Sequence, residues 1–166
     1  MPSPQTIWHW QEAGTAWKGV GIYHVTLTIP SRQPLLGTLV IPDNDPVKAI
    51  IDESPLAKDV VKYLLHIYDY HPEVQVLRFC VMPDHLHAIL HVRQKMPVGI
   101  KTVVRGFWQA AKKIGRAYSS ANCLSIAPNT IRDNTSSSPD PIFTEMPFIR
   151  PLSRRGQLQT MMHYVK

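Results

Sequence analysis

Val81-Met82-Pro83-Asp84-His85-Leu86-His87-Ala88-Ile89-Leu90-His91-Val92 decides how the rest of the chain reads. Two apolar runs, Val74 to Met82 and Leu86 to Val92, flank a Pro-Asp step. Runs of that length around a turn signal predict two strands paired antiparallel. Strand side chains alternate between faces. His85, His87, Ile89 and His91 therefore share one face, and Leu86, Ala88, Leu90 and Val92 the other. Two neutral imidazoles at i and i+2 on a rigid strand can share one divalent ion. The spacing alone belongs more often to two ordinary surface or core histidines, and a zinc site would want more Cys or His at ligand spacing. His91 lies near the limit of reach for the same ion. His24, His66, His71 and His163 have no spacing that recommends them.

Downstream, Pro97-Val98-Gly99 breaks the chain, and a helix is predicted from Ile100 to about Tyr118. Ile100, Val103, Val104, Phe107, Trp108, Ala111 and Ile114 form its apolar face. Lys101, Arg105, Lys112 and Arg116 fall on the other side, with Gln109 among them and no acid. A charged helix face is usually a solvated surface. Beside a phosphate site, four such cations become candidate nucleic-acid contacts. Residues 119–141, rich in Ser, Asn and Pro and without periodicity, predict a long flexible loop. A short strand is expected within Pro141 to Phe148. A final helix is expected over 151–166, opened by Pro151-Leu152-Ser153 with Ser153 as N-cap and weakened by Gly156. Leu158, Met161, Met162 and Val165 form its apolar stripe, and Gln157, Thr160 and Tyr164 line a different face. Tyr164 is thus not obviously a core residue. As a nucleophile its phenol needs help, because its ordinary pKa is near 10.

Upstream, Gly21 to Ile29 predicts a strand with Tyr23, Val25, Leu27 and Ile29 on one face and Ile22, His24, Thr26 and Thr28 on the other. Leu35 to Ile41 is a second candidate strand, Pro42-Asp43-Asn44-Asp45-Pro46 a turn, and Val47 to Ile51 either a short strand or a lead-in. Ser54-Pro55 marks a helix start, with Ser at the N-cap and Pro at the first helical position. That helix is expected to run to about Tyr70, with Val60, Val61, Leu64, Leu65 and Tyr68 inward, and Pro72 ends it. Residues 1–19 carry Trp8, Trp10 and Trp17 without a clean period and form an N-terminal arm, either docked on the sheet or a stacking arm for nucleic acid.

The length of 166 residues, with 44% hydrophobic content, suits a single domain over 1–166. With 18 Lys+Arg against 12 Asp+Glu the formal net charge is +6. That balance favours a polyanionic partner, nucleic acid before an anionic membrane. Cys80 and Cys123 are too few and too far apart for a disulfide framework or a paired-cysteine metal knuckle. Both are expected as free thiols, with Cys80 buried in a strand, which fits a reducing cytoplasm. Met1 to Trp10 lacks the pattern of a signal peptide, and no stretch approaches a membrane span.

Val81-Met82-Pro83-Asp84-His85-Leu86-His87 resembles the His-hydrophobe-His (HUH) signature of single-tyrosine transposases, above all the REP-associated tyrosine transposases and their IS200-like relatives. The order of elements is similar too: an opening strand, a helix, the Met-Pro-x-His-hydrophobe-His hairpin, a basic helix and a late helix with tyrosine. Gln159-Thr160-Met161-Met162-His163-Tyr164-Val165-Lys166 matches the start of the family's tyrosine segment. The resemblance implies an α+β, ferredoxin-like fold, a central antiparallel sheet with helices packed mainly on one face. It implies His85 and His87 as ligands of Mg²⁺ or Mn²⁺ and Tyr164 as the nucleophile on single-stranded DNA beside a hairpin. Lys101, Arg105, Lys112 and Arg116 are the expected DNA contacts, by charge and position. The resemblance is compatible with a monomer or with a homodimer that exchanges the tyrosine helix. The family commonly places a third ligand, Gln or Asn, four residues after the tyrosine, two positions beyond Lys166, so the tyrosine helix is expected to be cut short. Either the chain is a truncated form, or waters and Asp84 fill the coordination shell, or metal binding is crippled. The alternatives are a catalytically inactive module that binds DNA or RNA hairpins, and an interaction domain without a nucleic-acid role.

Overall fold

The computed structural model describes residues 20–125, 142–152 and 156–165. The chain runs through β1 (Gly21–Thr28), β2 (Gly37–Val40), β3 (Ile50–Glu53), α1 (Pro55–Leu65), α2 (Ile67–Tyr70), β4 (Val74–Val81), β5 (His85–Val92), α3 (Ile100–Ser125), β6 (Phe148–Pro151) and α4 (Gln157–Tyr164). The main sheet has the order β4-β5-β1-β6, and every neighbouring pair is antiparallel. Without the short β2–β3 hairpin and α2, the succession is β-α-β-β-α-β, the ferredoxin-like arrangement expected from the sequence.

Alternation along the two central strands sorts the molecule into layers. Tyr23, Val25, Leu27 and Ile29 join Leu86, Ala88, Leu90 and Val92 in the main core. Against them pack Leu56, Ala57, Val60, Val61 and Leu64 of α1, and Ile100, Val103, Val104, Phe107 and Ala111 of α3. Burying each Val, Leu, Ile or Phe side chain among them contributes about 1.5–3 kcal/mol before entropy is counted. The opposite face carries a smaller cluster, Ile22, Ile89, Leu152 and Val165, with Leu158, Met161 and Met162 of α4 packed on it. The two long helices thus share one face, and the short last helix lies across the other.

Several local expectations change. The helix from Pro55 stops at Leu65; Ser54 Oγ accepts the Ala57 N–H as its N-cap, and α2 follows after His66. Leu56, Ala57, Val60, Val61, Leu64 and Ile67 form the buried stripe, whereas Leu65 and Tyr68 lie one position around the helix and are exposed. The second strand narrows to Gly37–Val40 and pairs with Ile50–Glu53 as a separate hairpin. Helix α3 continues to Ser125, so the first part of the expected loop 119–141 is helical. Residues 119–125 contain neither Gly nor Pro, and nothing in their chemistry stops a helix before Pro128. Residues 126–141 lie outside the described residues, as do the arm 1–19 and Ser153.

The strand expected before Phe148 instead begins there. Pro151 ends β6, where an edge position tolerates a missing N–H. The final helix therefore starts at Gln157 rather than Pro151. Gly156 precedes its first turn with φ of 77°, a left-handed conformation glycine takes without a Cβ clash. Among the described residues no helix is long and apolar enough to cross a membrane.

Candidate functional site

The β1–β5 register sets Thr26 opposite His87 and Thr28 opposite His85. His24, two residues along β1 from Thr26, points to the same face. His87 is therefore enclosed. Its Nδ1 lies 3.0 Å from His24 Nε2 and 3.1 Å from Thr26 Oγ1, and the residue is only 7% exposed. Its Nε2 is buried without a hydrogen-bond partner. The His85 and His87 rings meet nearly edge to face, centroids 4.6 Å apart, and the His24 and His87 rings stack at 5.0 Å.

The hairpin turn orients the other histidine. His85 Nδ1 is 2.6 Å from Asp84 Oδ1, and Arg32 Nη1 donates to Asp84 Oδ2 at 3.3 Å. A carboxylate on Nδ1 selects the tautomer that leaves the Nε2 lone pair outward, an arrangement common behind metal-bound histidines. The segment bearing Arg32 is tied to the same turn: Ile29 N donates to Asp84 O at 2.9 Å and Leu36 N to Pro83 O at 2.8 Å. Between those bonds Ser31 and Arg32 take left-handed conformations, φ of 57° and 54°. Such conformations cost free energy and persist where surrounding bonds impose them.

The electrostatics favour neutral imidazoles at His87 and His24. Burial, then the positive fields of His85, His24 and Arg32, lower the His87 pKa to about 4. Burial and then Arg150 lower that of His24. Burial pushes the Asp84 carboxyl upward, but its bonds and charge contacts with His85 and Arg32 outweigh this and hold it below its ordinary value.

Helix α4 brings the tyrosine. Its apolar side rests on Ile22 and Ile89, and Val165 is fully buried at its end. The Tyr164 ring lies 5.3 Å from the His87 ring of the same chain, tilted by 66°. Tyr164 is 58% exposed, so its surroundings are open to a large substrate.

Of the residues singled out from sequence, His85, His87 and Tyr164 thus come together. The basic residues do not. Lys101, Arg105, Lys112 and Arg116 sit on α3, whose apolar side packs on Leu86, Ala88 and Leu90, the residues that alternate with the histidines. The stripe consequently lies across the sheet from the histidines, not beside them, because alternation in β5 sends its two sets of side chains opposite ways. Lys112 is half-buried, its Nζ 3.8 Å from the centre of the Trp108 ring, while Lys101, Arg105 and Arg116 are exposed. Cys80, opposite His87 on β4, is half-buried rather than buried.

His24 escaped the sequence reading. Alternation put it on one face with Thr26, but its closeness to His87 depends on how β1 registers against β5, two segments 63 residues apart. Whether the residues suit a divalent ion turns on the donor atoms. Each of His85 and His87 has Nδ1 engaged and Nε2 left over, and the Nε2 of His87 is a buried orphan, so two imidazoles fit. Among the described residues no set of three His, Cys, Asp or Glu side chains converges to hold an ion.

No protein-family model matches the chain, and no curated protein matches it. Among solved structures, the chain is similar to a candidate transposase from Deinococcus radiodurans R1, with 16% identity, 93% of this chain and 95% of that one covered, and a TM-score of 0.48. It is also similar to a REP-associated tyrosine transposase bound to a REP hairpin, with 13% identity, 93% and 70% covered, and a TM-score of 0.49.

Proposed function

We propose that this chain is a transposase-like enzyme that nicks and rejoins single-stranded DNA at hairpin-containing sites, with Tyr164 as nucleophile and His85 and His87 as metal ligands. The observation that carries the reading is the approach of the Tyr164 ring to His87, an imidazole whose Nε2 is buried and unpaired. A phenol beside an imidazole with an unengaged ring nitrogen suits in-line phosphoryl transfer assisted by a metal ion. Mg²⁺ or Mn²⁺, when bound, would neutralise the scissile phosphate and stabilise the charge that grows on it.

The residues of the chain do the remaining work. Asp84 orients His85, and Arg32 steadies Asp84. Thr26 and His24 hold the His87 ring. The Tyr164 oxygen attacks the phosphorus and gives up its proton as the bond forms. The 3′ oxygen leaves and takes up a proton, so the products are a 5′-phosphotyrosine and a free 3′-OH. Attack by another 3′-OH on that link reverses the step and exchanges strands with no external energy source. Tyr164 meets His87 within one chain, an arrangement in which the nucleophile can act in its own subunit. Lys101, Arg105 and Arg116, across the sheet, suit the phosphates of the hairpin rather than the scissile one.

The test is covalent capture. A single-stranded oligonucleotide carrying a hairpin from DNA flanking the coding region should become attached to the protein in Mg²⁺ or Mn²⁺, and Tyr164→Phe should abolish the adduct. An adduct that survives Tyr164→Phe refutes the nucleophile. The lack of a third convergent His, Cys, Asp or Glu side chain among the described residues favours one second reading, a hairpin-binding module without cleavage. Hairpin binding that survives replacement of both His85 and His87, with no nicking by the parent chain, would select it.

A further inference from the structure

We infer that Arg78 is a positioning residue that clasps the last helix to the edge of the sheet and thereby keeps Tyr164 over His87. The inference rests on the reading of Tyr164 above, and begins with an irregularity in β4. Val76 pairs with Leu90, but Arg78 pairs with Ile89, so the register shifts by one residue between them. Regular alternation from Val76, which faces the main core, would aim Arg78 into that core as well. The extra residue reverses this. Leu77 packs in the cluster beneath α4, Arg78 comes level with Ile89 of that same cluster, and Phe79 returns to the main core. A bulge of this kind re-aims a side chain without interrupting the strand.

Once on that face, the Arg78 guanidinium donates from Nη1 to Met162 O at 2.7 Å. Met162 belongs to the last turn of α4, where carbonyls lack partners within the helix and a cation is favoured by the helix dipole. Helix α4 needs such a hold. It is eight residues long, has no fully buried residue within its span, and is anchored apolarly by half-buried Leu158, Met161 and Met162 and by Val165 beyond its end. Isolated helices of that length are marginal in water. The clasp falls two residues before Tyr164, so its loss frees the turn that carries the nucleophile.

The experiment compares the parent chain with Arg78→Gln and Arg78→Lys by amide hydrogen exchange and by single-turnover adduct formation. The Val165 amide, bonded to Met161 O at 2.8 Å, reports the last turn. In Arg78→Gln it should exchange about tenfold faster or more, the scale of a lost charged hydrogen bond. Amides of β5 should stay as protected as in the parent. Arg78→Lys, which keeps a cationic donor, should recover most of the protection. The adduct-forming rate at saturating oligonucleotide should fall in Arg78→Gln while half-saturation stays put, because Arg78 acts on the helix and not on DNA. Unchanged Val165 exchange overturns the clasp, as does equal loss of protection in β5. A raised half-saturation with an unchanged maximal rate overturns it too, by making Arg78 a DNA contact. If the parent chain forms no adduct with any hairpin, the functional reading fails, and the exchange comparison alone still decides whether Arg78 holds α4.

Discussion

Acidification should weaken this fold through one buried imidazole. In the folded chain the His87 pKa is about 4, against 6.5 for an ordinary histidine. Between those values the unfolded chain binds a proton at this position that the folded chain refuses. Stability therefore falls as the pH drops from 6.5 towards 4, and is fully retained above 6.5. The gap of about 2.5 pH units, at 1.36 kcal/mol each, sets a limit of about 3 kcal/mol. His24, lowered by burial and Arg150, acts with the same sign, and Asp84, held below its ordinary value, adds its loss at more acid pH. The His87 part is isolated by comparison with His87→Gln, which cannot gain a charge and retains an amide donor for the Thr26 side. Urea unfolding at pH 7, 5.5 and 4, with a chelator present so that no bound ion competes with protons, gives both stabilities. The parent should lose about 2 to 3 kcal/mol more than His87→Gln between pH 7 and pH 4. Parallel losses in the two proteins would mean that the folded environment does not oppose His87 protonation, and the enclosure by His24, Thr26 and the sheet would be wrong.

Two further outcomes follow from other parts of the chain. Ser54 Oγ accepts the Ala57 N–H at 3.1 Å and donates to Leu35 O at 2.8 Å, joining the helix start to the segment that leads into β2. Ser54→Ala should cost about 2 kcal/mol and lower Tm by about 4–8 °C in a thermal melt. The exposed cations of α3 are expected to contact hairpin phosphates. Replacing Lys101, Arg105 and Arg116 together by Gln should reduce the slope of log affinity against log salt by about 2 to 3, read from hairpin titrations at several salt concentrations, while adduct formation at saturating DNA is retained.

Legibility in the sequence followed the range of the physics. Ser54-Pro55 announced a helix start, because a cap is an interaction across three residues. The strand alternation that put His85 and His87 on one face and Leu86 and Ala88 on the other was equally local, and the layers of the fold follow from it. Boundaries that depend on partners far along the chain are not legible in this way. Pro and Ser suit a helix start at Pro151, but pairing of Pro151 with Tyr23 claims that segment for the sheet. Helical periodicity groups the basic residues on one face of α3, but only the packing of α3 on the main core sets that face across the sheet from the histidines.

By itself the sequence determined the strand–turn–strand at Pro83-Asp84, the faces of its strands, the amphipathic helices and the pair His85–His87, all consequences of periodicity and local sterics. The tertiary structure alone decided that His24 and Thr26 close around His87, that Arg32 steadies Asp84, and that a one-residue bulge turns Arg78 towards the helix of Tyr164. The reason is register. Strand alternation says which face a side chain takes, but only the alignment of distant strands says which neighbours it meets there, and a slip of one residue exchanges the faces.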